Sequence, residues 1–563
     1  MWRYTFLSIH RPAMLTMALG VMSPVLAQIG QGGSPLALMN GLEMRDVPVV
    51  HPVPFSTSLV PDQGPDRAEG PQVPFDAALL GLDVDVLAAG KWDVLGDGAR
   101  VCRLQIASEN AFGLELFFGE IDLPPGAVLY VHGADGGEVL GGFTAATVHG
   151  GKGFATDRTK GDRCIVEVDL PSWVPPGQAT VRISGVGHTY RPFDIAADPC
   201  EVDVVCSPEG DNWADERDGV VRIRVVEGGS IGYCSGSLVN NVAQDCTPYI
   251  LTALHCGLGA SSSDFPLWKF YFRYERPQCG SGNASVGKVM TGCTQRANSN
   301  DGGGANGSDF LLVELMDPVP GSYGPYWNGW DAGGAVSGSG VSIHHPNGDE
   351  KKISTYTTNI QTTSYAWNGP QSHWLVHWSG TTNGHGVTEG GSSGSPLFDA
   401  TGHIIGTLTG GLSYCNSAQH PNGQNQPDYY GKMSYHWSSN PNSTSQKLKA
   451  WLDPQNSGTL AMDGSRDPCG MYVGVSEQVT GPIAFDWFPV PADERISAVI
   501  PTTVDVRSIE LIDALGRSVA IEHSLQGVRL DLNTAAVPSG CYAVRGMGRG
   551  GAGIPLGRLV IQH

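Results

Sequence analysis

The amino-acid sequence predicts an all-β protein built from several domains. Its 563 residues exceed what one ordinary hydrophobic core accommodates, so two to four domains are expected. The chain contains 77 glycines and 38 prolines, and its apolar residues alternate over short stretches without long helical periodicity. These features favour β-sandwiches and β-barrels over helical bundles. The formal charge of −21 argues against nucleic acid or an anionic membrane surface as the main partner.

The first 27 residues have the features of a signal peptide. Arg3 and Arg11 form a basic start, residues 13–26 are largely apolar, and Val25-Leu26-Ala27 fits a signal peptidase site. A short buried helix is the alternative. No later run reaches the ~18 apolar residues of a membrane-spanning helix. We therefore expect an exported protein, secreted or at the cell surface, that passes through the periplasm.

Twelve cysteines in an exported chain indicate disulfides. The closely spaced C-x-x-C pairs of zinc sites are missing, so the sequence predicts neither a metal site nor a cofactor. The cysteines divide as two, eight and two along the chain. This division predicts three domains that oxidise independently.

Residues 28–195 are predicted to form an N-terminal β-sandwich. After a lead-in rich in proline and glycine, short alternating strands such as 114–118 and 164–168 are separated by turns. Cys102 and Cys164 are the two cysteines of this segment, and we expect them to pair. The segment contains no convincing catalytic constellation.

Residues 196–465 contain a motif typical of a nucleophilic serine. In Gly391-Ser392-Ser393-Gly394-Ser395-Pro396 the glycines allow a sharp turn that leaves backbone amides exposed. Two N–H groups that converge beside a serine hydroxyl make an oxyanion hole. Because Gly/Ser loops are common in so glycine-rich a chain, the motif needs a base and an acid elsewhere.

Two further residues supply that base and acid. His255 ends an apolar strand next to Cys256, which can tie its loop to Cys234 and hold the imidazole in place. Asp309 opens another apolar strand and can be buried against an imidazole, although a strand-end carboxylate is the alternative. The chain order His, Asp, Ser is that of chymotrypsin-like double β-barrel proteases.

Several separate motifs in the middle of the chain resemble the lysyl endopeptidase family of secreted bacterial serine proteases. These motifs are 203–211, 234–241, 251–257, 308–310, 343–347 and 386–396. The resemblance implies His255 as base, Asp309 as orienting acid and Ser393 as nucleophile. It also implies an oxyanion hole formed by the backbone amides of Gly391 and Ser393.

The resemblance further implies three disulfides in this segment. They are Cys200–Cys415, Cys206–Cys279 and Cys234–Cys256. Cys246 and Cys293 are then left over, and we expect them to pair with each other.

The expected specificity pocket differs from that of trypsin. Trypsin-like enzymes carry an acidic residue six positions before the serine, and Val387 occupies that position here. In the lysyl endopeptidase family the carboxylate follows the serine, which points to Asp428 as the anion that would bind a P1 lysine. An aspartate in a surface turn after Pro427 is the alternative.

The resemblance also implies residues that line the substrate site. Trp367 matches an aromatic residue of the family, whereas Thr409 stands where the family has a histidine, which puts the rate and the pH optimum in doubt. Thr409, Gly410 and Gly411 are expected to form an extended edge that pairs with the substrate backbone.

Both flanking segments carry resemblances of their own. Residues 28–195 resemble the propeptide of the same family, with a permanent accessory domain as the alternative. Residues 470–563 are predicted to form an Ig-like β-sandwich; the two remaining cysteines, Cys469 and Cys541, are assigned to this C-terminal part of the chain. Segments 488–492, 509–517 and 538–542 resemble the sorting domain of type IX secretion, although Val490 replaces the usual asparagine. An accessory Ig-like binding module is the alternative.

These features predict a secreted serine endopeptidase that cleaves protein or peptide substrates after lysine through an acyl-enzyme intermediate. The C-terminal domain would engage the secretion machinery. A protease that tolerates arginine or has another specificity is one alternative. A secreted binding or adhesion protein on an inactive protease scaffold is the other, and the intact His255, Asp309 and Ser393 argue against it.

Overall fold

A computed structural model provides the structure of the protein. It describes residues 33–61, 73–145, 147–148, 154–175, 177–192, 196–302, 307–365, 371–470, 495–499, 508–512, 517–526, 529–547 and 553–561. The chain forms two compact units, Met1–Tyr472 and Val473–His563. The predicted signal peptide and Trp367 lie outside the described residues.

Strands dominate the described residues, which confirms the all-β prediction. The helices are short: α1 Leu36–Met39, α2 Val86–Ala89, α3 Ala214–Gly219 and α4 Lys449–Leu452. A π-helical turn occurs at Tyr435–Ser439. Short 3₁₀ turns occur at Thr57–Leu59, Leu254–Cys256, Phe265–Leu267, Gly321–Tyr323, Pro346–Gly348, Gly423–Asn425 and Thr444–Gln446. Within the described ranges, no helix is long and apolar enough to cross a membrane.

The N-terminal segment, residues 33–192, contains two sheets around a common core. Its strands are β1 Val49–Val50, β2 Phe75–Asp85, β3 Lys91–Val94, β4 Arg100–Ala107, β5 Gly113–Asp122, β6 Val128–Gly133, β7 Val139–Phe143, β8 Phe154–Ala155, β9 Thr159–Lys160, β10 Arg163–Leu170 and β11 Thr180–Thr189. One sheet has the order β1-β4-β10-β6-β7, with β3 on β4, and the other contains β2-β11-β5-β8, with β9 on β5. Alternating apolar residues of both sheets, among them Leu104, Val166 and Leu116, pack in one hydrophobic cluster.

The expected disulfide between Cys102 and Cys164 is wrong. The two residues lie on the adjacent strands β4 and β10, where Cys102 pairs with Val168 and Cys164 pairs with Ile106. They are thus four positions apart along the ladder, about 13 Å at the usual rise per residue. That separation is about twice the Cα distance of a disulfide. Both thiols are buried and unbonded, and burial raises their pKa values to about 12.

The middle segment, residues 196–470, contains two sheets, whose strands are antiparallel except where Trp330 pairs in parallel with Ile404. Strands β12 Val220–Glu227, β13 Ser230–Val239, β14 Tyr249–Ala253, β15 Lys269–Phe272, β16 Val289–Thr291, β17 Cys293–Asn298 and β18 Phe310–Leu315 form the first. Strands β19 Trp330–Asp331, β20 Gly340–His344, β21 Lys352–Tyr356, β22 Gln361–Thr363, β23 His373–Val376, β24 Pro396–Asp399, β25 Ile404–Gly411, β26 Asp428–Lys432 and β27 Ala461–Met462 form the second. Each sheet has its own apolar cluster, and a third cluster joins them.

The N-terminal and middle segments share one continuous sheet. Strand β2 pairs with β13, with Ala77 opposite Ile231 and Ala78 opposite Ser230. Behind this junction Arg224 donates to Glu115 and to Asp76, and the Lys269 ammonium lies 2.6 Å from Glu115. The junction therefore combines strand pairing with a buried cluster of opposite charges.

The cysteines of the middle segment form four disulfides among the described residues. Cys200–Cys415, Cys206–Cys279 and Cys234–Cys256 agree with the expected pairs. The fourth is Cys246–Cys469, with a Cα distance of 5.4 Å.

This fourth disulfide makes two expectations wrong: Cys246 does not pair with Cys293, and Cys469 does not belong to an independent C-terminal pair. Strand β27 pairs with β19 and so returns the chain after α4 to the middle segment, beside Cys246. Cys293 remains a buried thiol whose pKa is raised by burial. The side chain of Cys541 lies outside what the structure describes.

The C-terminal unit contains two small antiparallel sheets. Its strands are β28 Arg495–Val499, β29 Ser508–Ile512, β30 Ser518–Ala520, β31 Glu522–Gln526, β32 Arg529–Asn533, β33 Gly540–Met547 and β34 Gly553–Ile561. The sheets have the orders β28-β32-β31 and β30-β29-β33-β34. Residues of both, including Ile496, Leu530 and Leu511, share one apolar cluster. Segment 488–492 of the predicted sorting motif lies outside the described residues.

Candidate active site

His255 is held by the end of β14 and by a disulfide. The strand runs through Ala253 and continues directly into the turn Leu254–Cys256, which carries the histidine. The Cys234–Cys256 disulfide ties this turn to β13. The backbone N–H of Leu254 donates to the carbonyl of Asp309 at 3.1 Å. The position of the imidazole is therefore fixed by the chain on both sides of it.

Asp309 is buried directly against His255. Its Oδ2 lies 2.6 Å from Nδ1 of the imidazole, and its Oδ1 accepts the backbone N–H of His255 at 2.9 Å. Burial raises the pKa of Asp309 above its usual range, and the neighbouring His255 opposes that shift. Because Nδ1 donates to the carboxylate, Nε2 is the ring atom left to accept a proton.

Asp301 holds Asp309 in an unusual backbone conformation. The φ of Asp309 is +57°, a left-handed value that aspartate tolerates better than most residues. The Oδ2 atom of Asp301 accepts the N–H groups of Ser308 at 2.6 Å and Asp309 at 3.1 Å. This role could not be predicted from the sequence, because Asp301 stands in a glycine-rich tract with no periodic pattern.

Ser393 lies in a tight turn between two glycines with left-handed backbones. The φ values are +92° at Gly391 and +80° at Gly394. A Cβ on Gly394 would lie 2.5 Å from the carbonyl oxygen of Ser235 and 2.6 Å from the backbone nitrogen of Ala253. Only glycine therefore fits at Gly394, and the close approach packs the serine turn onto β13 and β14.

The side chains of His255 and Ser393 are almost fully buried, and they are not hydrogen-bonded to each other. The exposed fractions are 7% for His255 and 4% for Ser393. The Nε2 atom of His255 has no hydrogen-bond partner among the described residues. Hydrogen bonds between a histidine base and a serine hydroxyl are often long in the absence of substrate and shorten in the substrate complex.

The turn before Ser393 is braced by a buried histidine. Ser392 Oγ accepts the N–H of Glu389 at 3.2 Å and lies 2.8 Å from Nδ1 of His344. The other ring nitrogen of His344 lies 3.1 Å from the hydroxyl of Ser354. His344 thus links β20 and β21 to the turn that carries the Gly391 and Ser393 amides.

Asp428 is a fully buried carboxylate at the start of β26. Its Oδ2 accepts three hydrogen bonds, from Trp378 Nε1 at 2.6 Å, Thr388 Oγ1 at 2.8 Å and Ser413 Oγ at 2.6 Å. Its Oδ1 accepts the backbone N–H of Ser413 at 3.1 Å. Burial raises the pKa of Asp428, and these donors oppose the shift. The surface-turn alternative for Asp428 is therefore wrong.

No lysine or arginine among the described residues forms an ion pair with Asp428. A buried carboxylate without a cation is costly to ionise, and such groups mark sites that receive a charged ligand. Asp428 is predicted from a segment of the sequence that begins with Ser413, whereas Trp378, 50 residues from Asp428, carries no motif signal and is not predicted.

Gly410 and Gly411 form a half-buried edge of β25 beside this carboxylate. On one side they pair with Tyr429 and Asp428 of β26. On the other side β24 pairs with β25 only as far as Thr407, so among the described residues the edge beyond Leu408 has no strand partner. Such an edge can accept an extended peptide.

The side chain of Thr409 points away from this edge. Thr409 is fully buried, and its hydroxyl lies 3.0 Å from Nε2 of His373. Burial, with a further contribution from Lys432, lowers the pKa of His373 to about 3, so this imidazole is neutral at physiological pH. Thr409 can therefore contribute its backbone, but not its side chain, to substrate binding.

Comparison with known proteins matches both segments of the first unit. A model of the lysyl endopeptidase C-terminal domain matches residues 196–431, and one of the lysyl endopeptidase N-terminal domain matches residues 80–190. The chain belongs to the lysyl endopeptidase family. A lysyl endopeptidase of Pseudomonas aeruginosa is 29% identical over 378 residues, which cover 61% of this chain and 75% of that protein. The chain is thus a serine endopeptidase, and its disulfides fit an extracellular protein.

Two solved protease structures are also similar. The protease Anisep from Arthrobacter nicotinovorans is 18% identical with a TM-score of 0.28, over 38% of this chain and 90% of Anisep. A Glu endopeptidase is 14% identical with a TM-score of 0.26, over 43% of this chain and 95% of that one. Scores this low add no weight to the family assignment.

Proposed function

We propose that this serine endopeptidase hydrolyses peptide bonds on the C-terminal side of lysine. The observation that carries the proposal is Asp428, a buried carboxylate with no cationic partner among the described residues. A P1 lysine ammonium would neutralise it. Removing this charge from water is favourable only with a partner of opposite sign, so the pocket favours a cation over an uncharged side chain.

The proposed reaction is acyl transfer through Ser393. His255 Nε2 takes the hydroxyl proton while Ser393 Oγ attacks the scissile carbonyl carbon. Asp309 stabilises the imidazolium that forms, and the N–H groups of Gly391 and Ser393 stabilise the tetrahedral oxyanion. The C–N bond then breaks, and His255 returns the proton to the leaving amine. Water then attacks the acyl carbon of the remaining ester while His255 takes its proton; the bond to Ser393 Oγ breaks, and His255 returns the proton to Oγ.

The nucleophile is tested with a fluorophosphonate probe. The wild-type protein is expected to be labelled on Ser393, and Ser393→Ala is expected to lose the label. Equal labelling of the alanine variant would refute the assignment, and an unlabelled wild type after maturation would favour the inactive-scaffold alternative. Specificity is tested with matched peptides that carry Lys, Arg or Glu at P1. Equal rates for Lys and Arg would favour the Arg-tolerant alternative.

We further propose that residues 28–195 act as a propeptide and that residues 470–563 act as a secretion sorting domain. The match of residues 80–190 to the N-terminal domain of the family supports the first role. Cleavage between Arg191 and Cys200 would break the covalent link between this domain and the protease, leaving the strand pairing of β2 with β13. Intact-mass measurement of active secreted protein tests the proposal, since a mass that still includes residues 28–195 contradicts it. Deletion of residues 470–563 is expected to abolish export.

A further inference from the structure

The hydrogen bonds on Asp428 are distributed unevenly between its two oxygens. Oδ2 accepts from three side chains, those of Trp378, Thr388 and Ser413, at 2.6, 2.8 and 2.6 Å. Among the described residues, Oδ1 accepts only the backbone N–H of Ser413, at 3.1 Å. A carboxylate oxygen rarely accepts more than three bonds, so Oδ2 has no capacity left for a ligand. Oδ1 retains that capacity.

Oδ1, the Asp428 oxygen that can accept a further bond, faces the half-buried edge of β25. A Cβ on Gly411 would collide with Asp428 Oδ1, so this oxygen lies directly beside the glycine backbone. Because residue 411 is a glycine, no side chain of its own fills the space beside Oδ1. A ligand that enters along the edge of β25 would therefore meet one carboxylate oxygen and not two.

One available oxygen suits an ammonium group better than a guanidinium group. A lysine ammonium is a compact charge that bonds well to a single acceptor. An arginine guanidinium gains most of its advantage from two parallel bonds to both oxygens of a carboxylate. Because three donors already bond to Oδ2, a guanidinium could bond only to Oδ1 and would lose the second of its two parallel bonds.

We propose that Trp378 is a positioning residue that makes the pocket select lysine over arginine. The proposal rests on the proposed function of Asp428 as the P1-binding anion. Trp378 follows β23 and is 5% exposed, and its indole is packed edge-on against Tyr430, with ring centroids 6.1 Å apart. This packing holds Trp378 Nε1 against Asp428 Oδ2. The indole N–H then takes the hydrogen-bonding position on Oδ2, and the space beside it, that a bidentate guanidinium would need.

The test compares kcat/KM for matched P1 Lys and P1 Arg peptides in the mature enzyme. Trp378→Phe removes the donor and keeps an aromatic ring, and Thr388→Val removes a different Oδ2 donor at nearly constant volume. In both variants we expect the Lys-to-Arg ratio to fall by about tenfold, the value of one charge-assisted hydrogen bond. Competitive inhibition by butylammonium and butylguanidinium should shift in the same direction.

Trp374→Phe is the matched control. Trp374 is an equally buried tryptophan of β23, but its indole donates to the carbonyl of Ile405 at 3.0 Å and not to Asp428. Its Lys-to-Arg ratio is expected to stay within about twofold of wild type, because loss of core packing changes both substrates alike. An equal fall in this control would overturn the proposal.

A parallel Asp428→Asn variant separates this inference from the proposed function. If that variant keeps the lysine preference of wild type, Asp428 is not the P1 anion and the proposed function of the site is wrong. If Asp428→Asn loses the preference while Trp378→Phe and Thr388→Val keep the wild-type Lys-to-Arg ratio, the role of Asp428 as the P1 anion is supported and the role of Trp378 is wrong. Should Trp378→Phe not fold, the result for Thr388→Val decides.

Discussion

Replacing Asp301 with alanine is expected to disable the catalytic geometry without touching the catalytic residues. Asp301 accepts two buried backbone N–H groups, of Ser308 and Asp309, and it holds Asp309 at φ +57°. Without the carboxylate both amides lose their acceptor, at a cost of about 1–3 kcal/mol each. A left-handed non-glycine residue adds strain of order 1–3 kcal/mol that persists only while its surroundings enforce it. The segment should therefore relax and move Asp309.

The expected loss of rate in Asp301→Ala follows from the short distance between the Asp309 and His255 side chains. The two side chains meet at 2.6 Å, and a displacement of about 1 Å at a catalytic group costs on the order of 100-fold in rate. We expect kcat/KM of Asp301→Ala to fall by about that factor. Its temperature of half-inactivation should fall by at least about 4 °C, since 1 kcal/mol corresponds to roughly 2–4 °C in a domain of this size.

Asp301→Asn is the matched control, because its amide oxygen can still accept both N–H groups. Its kcat/KM should stay within about tenfold of wild type, the cost of replacing charge-assisted by neutral hydrogen bonds. Steady-state kinetics with a P1 Lys peptide and thermal inactivation measure both quantities. If Asp301→Ala retains wild-type kcat/KM and thermal stability, Asp301 does not position Asp309 and the reasoning is refuted.

Three further predictions concern the pocket, the segment junction and the new disulfide. Gly411→Ala would place a Cβ against Asp428 Oδ1. We therefore expect kcat/KM for a P1 Lys peptide to fall by at least about 100-fold while fluorophosphonate labelling of Ser393 persists. An unchanged rate of lysine-peptide hydrolysis would contradict the pocket geometry. Burial alone would raise the pKa of Glu115, but Arg224 and Lys269 lower it to about 2, so its ionic contribution to the junction is present above its ordinary pKa and lost as pH falls toward 2. After cleavage, the N-terminal segment should therefore separate from the protease on acidification, which gel filtration would reveal. In the Glu115→Gln variant the two segments should separate already at neutral pH. A complex that survives at pH 2–3 would argue against this. Cys246→Ser should lower the temperature of half-inactivation by several degrees, because the loop closed by the Cys246–Cys469 disulfide is long, and an unchanged temperature would count against a stabilising role.

The contact between His255 and Asp309 and the tight turn at Ser393 could be predicted from local sequence, because each residue stands in a short motif. His255 and Asp309 each adjoin an apolar strand, and Ser393 stands between glycines that the turn requires. Asp428 could be placed only through the family resemblance, since its burial depends on segments far away in the chain. The all-β class followed from composition and alternation alone.

The supporting residues could not be predicted, because their partners are set by tertiary packing. Trp378 lies 50 residues from Asp428, and nothing near it in sequence indicates that its indole bonds a carboxylate. Asp301 stands in a glycine-rich tract that reads as a solvent-exposed loop, yet it is 4% exposed.

The cysteine pairs inferred by counting within segments failed for the same reason, whereas the three pairs implied by the family resemblance agree with the structure. Counting cysteines by segment assumed that each domain oxidises alone, whereas β27 returns the chain to β19 and brings Cys469 to Cys246. Cys102 and Cys164 are neighbours by strand but not by register, which composition cannot reveal.

The central claim is that Asp428 makes this enzyme recognise a positive charge at P1. The most direct test compares kcat/KM for peptides with Lys and with norleucine at P1, whose side chains have the same carbon chain and differ by the terminal ammonium group. We expect wild type to prefer lysine by at least about 100-fold, since leaving a buried charge unpaired costs several kcal/mol. In Asp428→Asn the ratio should fall to near one while fluorophosphonate labelling of Ser393 remains. A variant that still prefers lysine as strongly as wild type would contradict the claim.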